Sequence, residues 1–278
     1  MSAPNDAWVV WDGKEGPHFD CVIMSYYSPD GQHILYEASR GAQHAIVHDT
    51  RPGRWYDAVM FHYFSPDGRH IAYDGKHNGQ WHAVWDGKEG RGYDQIYYPT
   101  MAPDSRGQAY AGGEHIVDVQ GYVDGPDSVL NRKPDAHWHV VVNGQESPAY
   151  DEVGYPIRYS PDGAHLVYPA RKGTTWMMVT DGKAGPAFDK VEEPVYDSTG
   201  RLLVYLGQRQ ALWYPVVNGV VGTAIEGTLT LGKTTRELLT DPYHAYGFDR
   251  SGAFYFVMKQ PGATPETACF VRYAVRVQ

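Results

Sequence analysis

Short apolar runs rich in Ile, Val and Tyr alternate along this chain with polar phrases built from Asp, Gly, Pro and Ser. Such runs are too brief for helices and have the side-chain types that pack well on a pleated surface, so they predict strands. Ile34-Leu35-Tyr36, Ile71-Ala72-Tyr73 and Leu166-Val167-Tyr168 each follow a Ser-Pro-Asp-Gly phrase. Pro presets φ at the first turn position and Gly supplies the positive φ of a tight reversal, so each phrase reads strand, turn, strand.

This unit is written six times. The copies begin at Ser28, Ser65, Ala102, Ser160, Asp197 and Asp249, at intervals of 37, 37, 58, 37 and 52 residues. The basic period of 37 with two insertions has the size of a propeller blade. A second phrase lies between the copies. It runs from Trp8 to Asp20, returns from Trp81 to Asp94, and recurs more loosely from His44, Trp138, Trp176 and Trp213. Its Asp-Gly or Asn-Gly pair predicts another hairpin, giving four antiparallel strands per period.

Four short strands bury their faces only by packing sheet on sheet, and a ring of such sheets leaves only short, protected edges. The expected fold is therefore all-β: a β-propeller of six four-stranded blades spanning residues 1–278 as one domain, with seven blades as the alternative. The chain begins with an outer strand pair and ends with inner strands, so its termini are expected to share a closing blade. The strand from Cys269 to Val277 is either the third strand of that blade or a fifth, outermost one. The insertions at 112–137, between second and third strands, and 227–243, between blades, fall on one face of the ring. Thr234 to Leu239 carries a capping-box pattern and predicts a short helix over the channel.

The turns followed by His33-Ile34-Leu35-Tyr36, His70-Ile71-Ala72-Tyr73 and His165-Leu166-Val167-Tyr168 resemble the TolB-like, WD40-like (PD40) propeller repeat over nearly the whole chain. That resemblance implies the fold. It implies no single activity, because the repeat serves transport accessories, peptidase gating domains and lyases alike.

Charge narrows the partners. A formal net charge of -9 opposes a phosphate backbone or an anionic membrane, so neither nucleic acid nor membrane is an expected partner. The first residues lack a basic segment followed by an apolar one, and no apolar stretch is long enough to cross a bilayer, so a cytoplasmic location is expected. Cys21 and Cys269 are too few for a disulfide framework and are expected to be free thiols.

Residues that recur in most copies are expected to hold sheets together. These are the Asp set Asp20, Asp57, Asp94, Asp151 and Asp189, expected to bond backbone in the next turn, and the aromatic set Tyr27, Phe64, Met101, Tyr159, Tyr196 and Phe248. The copies differ near the start of the innermost strands, beside the channel mouth. Tyr26, Tyr63, Tyr98, Tyr155 and Tyr246 predict an aromatic, hydrogen-bonding wall for a small polar molecule, a peptide or a protein partner. Arg158 and Glu193 either pair structurally or act as anion clamp and general base, and His62 and His244 are the candidate proton-transfer groups. The function expected first is ligand or partner binding at this mouth, with a lyase, isomerase or hydrolase as the alternative and a structural scaffold third. No cofactor is expected. The closest approach to a metal-ligand set is His115, Asp118, His137 and His139, whose spacing matches no strong signature.

Overall fold

The computed structural model describes residues 6–116 and 132–224 and the strand segments Thr228–Leu229, Tyr246–Phe248, Phe254–Lys259 and Phe270–Val275; side chains are described within 6–97, 99–116 and 136–224. Among the described residues there is no helix, and the all-β class holds. The chain divides into two compact units, 1–153 and 154–278.

In the first unit, a two-stranded hairpin (Val10–Trp11, Lys14–Glu15) precedes three four-stranded antiparallel sheets. The first sheet holds Cys21–Tyr27, Ile34–Arg40, Gln43–His48 and Arg51–Pro52; the second holds Ala58–Phe64, Ile71–His77, Gln80–Trp85 and Lys88–Tyr93. The third is built from Gln95–Met101, Gln108–Ile116, Arg132–Val142 and Gln145–Glu146. Its two long strands reach into the expected 112–137 insertion and pair as far as Ile116 with Arg132, so the connection itself is 117–131, outside the described residues.

In the second unit, a fourth sheet carries Arg158–Tyr159, Leu166–Lys172, Thr175–Thr180 and Lys183–Phe188. In the fifth, Lys190–Val191 and Val195–Tyr196 together line Leu203–Arg209, which is followed by Leu212–Val217 and Val220–Val221. In the last sheet Phe254–Lys259 pairs with Thr228–Leu229 and Tyr246–Phe248 on one side and with Phe270–Val275 on the other, which makes the final strand the third of its sheet. The rest of the 227–243 insertion, including the expected helix at Thr234–Leu239, lies outside the described residues, as do Asp249 and Cys269.

The turn phrases fold as their residues require. The N–H groups of Ser28, Ser65, Ala102, Ser160 and Asp197 donate to the carbonyls of His33, His70, Gly107, His165 and Leu202, the same bond five times. The Asp or Asn of the second hairpin turn adopts positive φ, at 56° in Asp49, 47° in Asp86, 50° in Asn143 and Asp181, and 47° in Asn218. From there each side chain reaches the neighbouring turn and accepts the N–H of Ile34, Ile71, Gln108, Leu166 or Leu203. In three sheets the same carboxylate also holds the His of the motif: His33 to Asp49 at 3.0 Å, His70 to Asp86 and His165 to Asp181 at 2.7 Å. The two turns at that end of a sheet are thereby tied together.

Neighbouring sheets join through aromatic rings seated on glycines. The Tyr56 ring lies where a Cβ on Gly75 would come within 2.5 Å, Tyr93 does the same at Gly112 at 2.6 Å, and Phe188 at Gly207 at 2.5 Å. Each ring also meets the repeat tyrosine of the following sheet edge to face: Phe19 with Tyr36, Tyr56 with Tyr73, Tyr93 with Tyr110, Phe188 with Tyr205. These tyrosines are almost fully buried, and in return their hydroxyls abut Gly16, Gly53, Gly90 and Gly185. The Asp set behaves as expected where its contacts are described: Asp20, Asp94 and Asp189 accept N–H bonds from Gly41, Ile116 and Gln210 at 2.6, 3.2 and 2.9 Å. One of the aromatic set departs from its expected burial. Tyr27 is 58 % exposed and stacks on Trp11, because the small hairpin lying against this strand covers little of it.

Gly75→Ala and Gly112→Ala drive a methyl into a packed ring, and overpacking of this kind costs about 1–3 kcal/mol. Urea unfolding should show that loss in both variants, and an unchanged midpoint would mean that the ring-on-glycine seat is not what joins the sheets.

Candidate functional site

The first strands of the three four-stranded sheets of the first unit share one irregularity. Register shifts between Ile23 and Ser25, between Met60 and Tyr63, and between Tyr97 and Thr100. Met24 and Phe61, one repeat apart, sit in these bulges with φ of 37° and 50°. A bulge bends the strand and re-aims its side chains, a feature concentrated at binding sites. Of the residues singled out for disagreeing between copies, His62 and Tyr98 lie within these shifts, and Tyr26 and Tyr63 follow them.

His62 follows the second bulge and is buried, with Nε2 at 3.1 Å from the Met24 carbonyl of the preceding sheet. A carbonyl only accepts, so the Nε2 proton points at it and Nδ1 carries the lone pair. Burial holds the imidazole pKa below its usual value; the bond to Met24 and the Glu37 charge oppose that shift only in part. Tyr26 lies edge-on to this ring, with centroids 5.0 Å apart, and remains 45 % exposed; Met24 beside it is 60 % exposed. Tyr63 is half-buried, and Tyr98 lies in the innermost strand of the third sheet.

In the second unit Tyr155 is exposed and precedes Pro156 through a cis peptide bond. Arg158 donates to the Pro194 carbonyl at 3.3 Å, which anchors the guanidinium on backbone next to the half-buried Glu193. Tyr246 lies in a strand of the last sheet, and His244 and Asp118 are outside the described residues.

Two groups of ionisable side chains escaped the sequence reading. Asp74, one residue past the repeat tyrosine of the second sheet, is buried, and desolvation raises its pKa from 3.8 to about 8. The corresponding residues are Glu37, Ala111, Pro169 and Leu206, so a carboxyl here is not a requirement of the repeat. The other group consists of His and carboxylate side chains whose ligand atoms lie within 4.8 Å of one another: His33, His48 and Asp49; His77, His82 and Glu89; Glu114, His137 and His139. The last contains two of the four residues expected from sequence. His115 sits at φ 58°, at a register shift between Glu114 and Ile116, and it is Glu114 that pairs across the strands with His137.

No protein-family model and no curated protein matches the chain. Among solved structures it is similar to Pyrococcus horikoshii acylaminoacyl peptidase, at 14% identity and a TM-score of 0.39 over 87% of this chain and 42% of that one. It is also similar to TolB from Acinetobacter baumannii, at 10% identity and a TM-score of 0.35, over 91% of this chain and 60% of TolB. A third is the β-propeller domain of the Trilobed protease from Pyrococcus furiosus, at 13% identity and a TM-score of 0.37, covering 91% and 81%. The chain thus spans less than half of that peptidase and less than two thirds of TolB.

Asp74 makes stability depend on pH. Between 3.8 and about 8 the folded chain holds a proton there that the unfolded chain has released, so this group's effect is to lower stability as pH rises through that window. Asp74→Asn removes the dependence while keeping the shape. Its melting temperature should match that of the parent near the bottom of the window and exceed it increasingly toward the top; a constant difference across the window would show that the carboxyl is not protonated in the fold.

Proposed function

We propose that this chain is a six-bladed propeller, closed by strands from both termini, that binds a small polar molecule or a peptide at the mouth formed by its innermost strands. Support for the ring comes from six sequence copies and the repeated sheet-to-sheet junction within each unit. The observation that carries the binding site is the exposed pair Met24 and Tyr26 on a bulged strand, backed by the buried ring of His62. A rigid, half-exposed tyrosine offers apolar area and a hydroxyl at little entropic cost, the combination that small-molecule and peptide sites use. By repeat position Arg158 matches Tyr26 and Glu193 matches Met24, and with the exposed Tyr155 they are proposed as the corresponding group in the second unit.

Binding is favoured over proton transfer. The Nε2 proton of His62 is engaged with Met24 and its ring is buried, so its role is to brace Tyr26 and the bulge. A general acid or base needs a proton position open to substrate.

A thermal-shift screen of the purified chain against sugars, short peptides and small polar metabolites tests this reading, because a ligand that binds only the folded state raises the melting temperature by mass action. Met24→Ser with Tyr26→Ser should abolish the shift and leave the melting temperature of the free protein nearly unchanged, since both side chains are exposed. Any pH dependence of affinity contributed by His62 should lie below 6.5, the usual histidine value, because burial lowers its pKa. A ligand whose shift survives the double substitution, or whose affinity follows the His62 titration, would move the site elsewhere or make His62 its working group.

A further inference from the structure

The Glu114, His137 and His139 group breaks the repeat in one place. At the position of Glu114 the other described sheets carry Arg40, His77, Lys172 and Arg209. Arg40 and Arg209 lie over the aromatic rings of Phe19 and Phe188, so the repeat reserves this position mainly for a cation. At the position of His137 the others have Gln43, Gln80, Thr175 and Leu212, and at that of His139 they have Ala45, His82, Met177 and Tyr214. The third sheet alone combines two imidazoles with a carboxylate here.

We infer that these three side chains form a binding site for a divalent transition-metal ion of the Zn²⁺ class. Glu114 and His137 are opposite each other across the two long strands, and His139 is opposite Gly112 on the same face. The Oε2 of Glu114 is 3.1 Å from Nε2 of His137. Tetrahedral ligands at Zn–N and Zn–O bond lengths stand about 3.4 Å apart, so an ion replacing the proton between these two atoms needs little movement. His139 is set for a third bond. Its Nδ1 is 2.8 Å from the Ser147 carbonyl, and since a carbonyl only accepts, the proton is on Nδ1 and the lone pair on Nε2. A backbone carbonyl orienting the far nitrogen in this way is the usual support of a metal-bound histidine. The rings of His137 and His139 stand at 80° to each other, with centroids 5.3 Å apart, so their in-plane lone pairs are able to converge.

The local charge also favours a cation. Arg91 bridges Glu114 and Glu146, leaving one guanidinium against two carboxylates. Two imidazoles and one carboxylate suit Zn²⁺ or its neighbours in the first transition row, with remaining coordination positions open to water from the partly exposed side of His137.

The other two groups lack this geometry. His33 and Asp49 form the tie between turns that recurs as His70 with Asp86 and His165 with Asp181. His77 and His82 are stacked with ring planes 7° apart and centroids 4.3 Å apart, so their lone pairs run parallel and do not meet at one ion.

The test uses the full chain, stripped with EDTA and dialysed, titrated with Co²⁺ by visible absorption and then with Zn²⁺ in competition. One equivalent of Co²⁺ should give ligand-field bands that Zn²⁺ removes, and Mg²⁺ and Ca²⁺ should not compete. His139→Gln and His137→Gln should each weaken binding by about tenfold or more. His82→Gln should have no effect. Circular dichroism and melting curves without metal establish that each variant is folded; should His139→Gln fail to fold, the half-exposed Glu114→Gln carries the same expectation. Absence of bands, bands unchanged in the folded variants, or bands lost with His82→Gln would each overturn the site.

Discussion

An aromatic ring resting on a glycine of the next sheet is the contact on which the rest of this structure depends. The ring of Tyr56, Tyr93 or Phe188 occupies the volume that any side chain at Gly75, Gly112 or Gly207 would need. It then meets the edge of the following repeat tyrosine, whose hydroxyl reaches back to a second glycine in the preceding sheet. Because each aromatic buries a large area and edge-to-face pairs add to that burial, each of these three seats fixes one sheet against the sheet before it. Polar groups complete the joint: the Tyr56 and Tyr93 hydroxyls donate to Glu89 and Glu146 at 2.7 and 2.5 Å, and Arg54 and Arg91 lie over the same rings.

A junction that demands so few positions leaves the others free to vary, and function belongs where they do. Two regions of the first unit depart from the repeat. One is the bulged start of the innermost strands, where Met24 and Tyr26 are exposed above a buried imidazole. The other is the end of the third sheet, where Glu114, His137 and His139 replace the cation and neutral residues found elsewhere. Both lie on rigid strands, which hold side chains more precisely than free loops do.

Histidine illustrates why residue type alone does not identify a site. His33, His70 and His165 are parts of a turn, each held by an Asp at positive φ. His62 is a buried wedge tied to a backbone carbonyl. His137 and His139 face each other and a carboxylate. All six are held through a ring nitrogen by a hydrogen bond or an ion pair, and the chemistry left to each is set by which nitrogen that contact uses.

The sequence by itself determined the strands, the turns and the 37-residue unit, because a tight turn imposes φ on a few adjacent residues and so leaves its mark in Pro, Asp and Gly at fixed positions. It also separated repeated from unrepeated positions, which was enough to assign the Asp20, Asp94 and Asp189 ties and to point at Tyr26 and His62. What it could not supply was register. A strand alternates sides with each residue, and one bulge inverts that alternation. At His115 such an irregularity put Glu114 opposite His137, more than twenty residues along the chain, with the His115 ring beside that of His137. The burial of Asp74 was decided in the same way, since a carboxyl between Tyr73 and Gly75 takes its pKa from the sheets packed around it and not from its neighbours in sequence. Contacts within a turn are written locally; contacts across strands and between sheets exist only once the chain has folded.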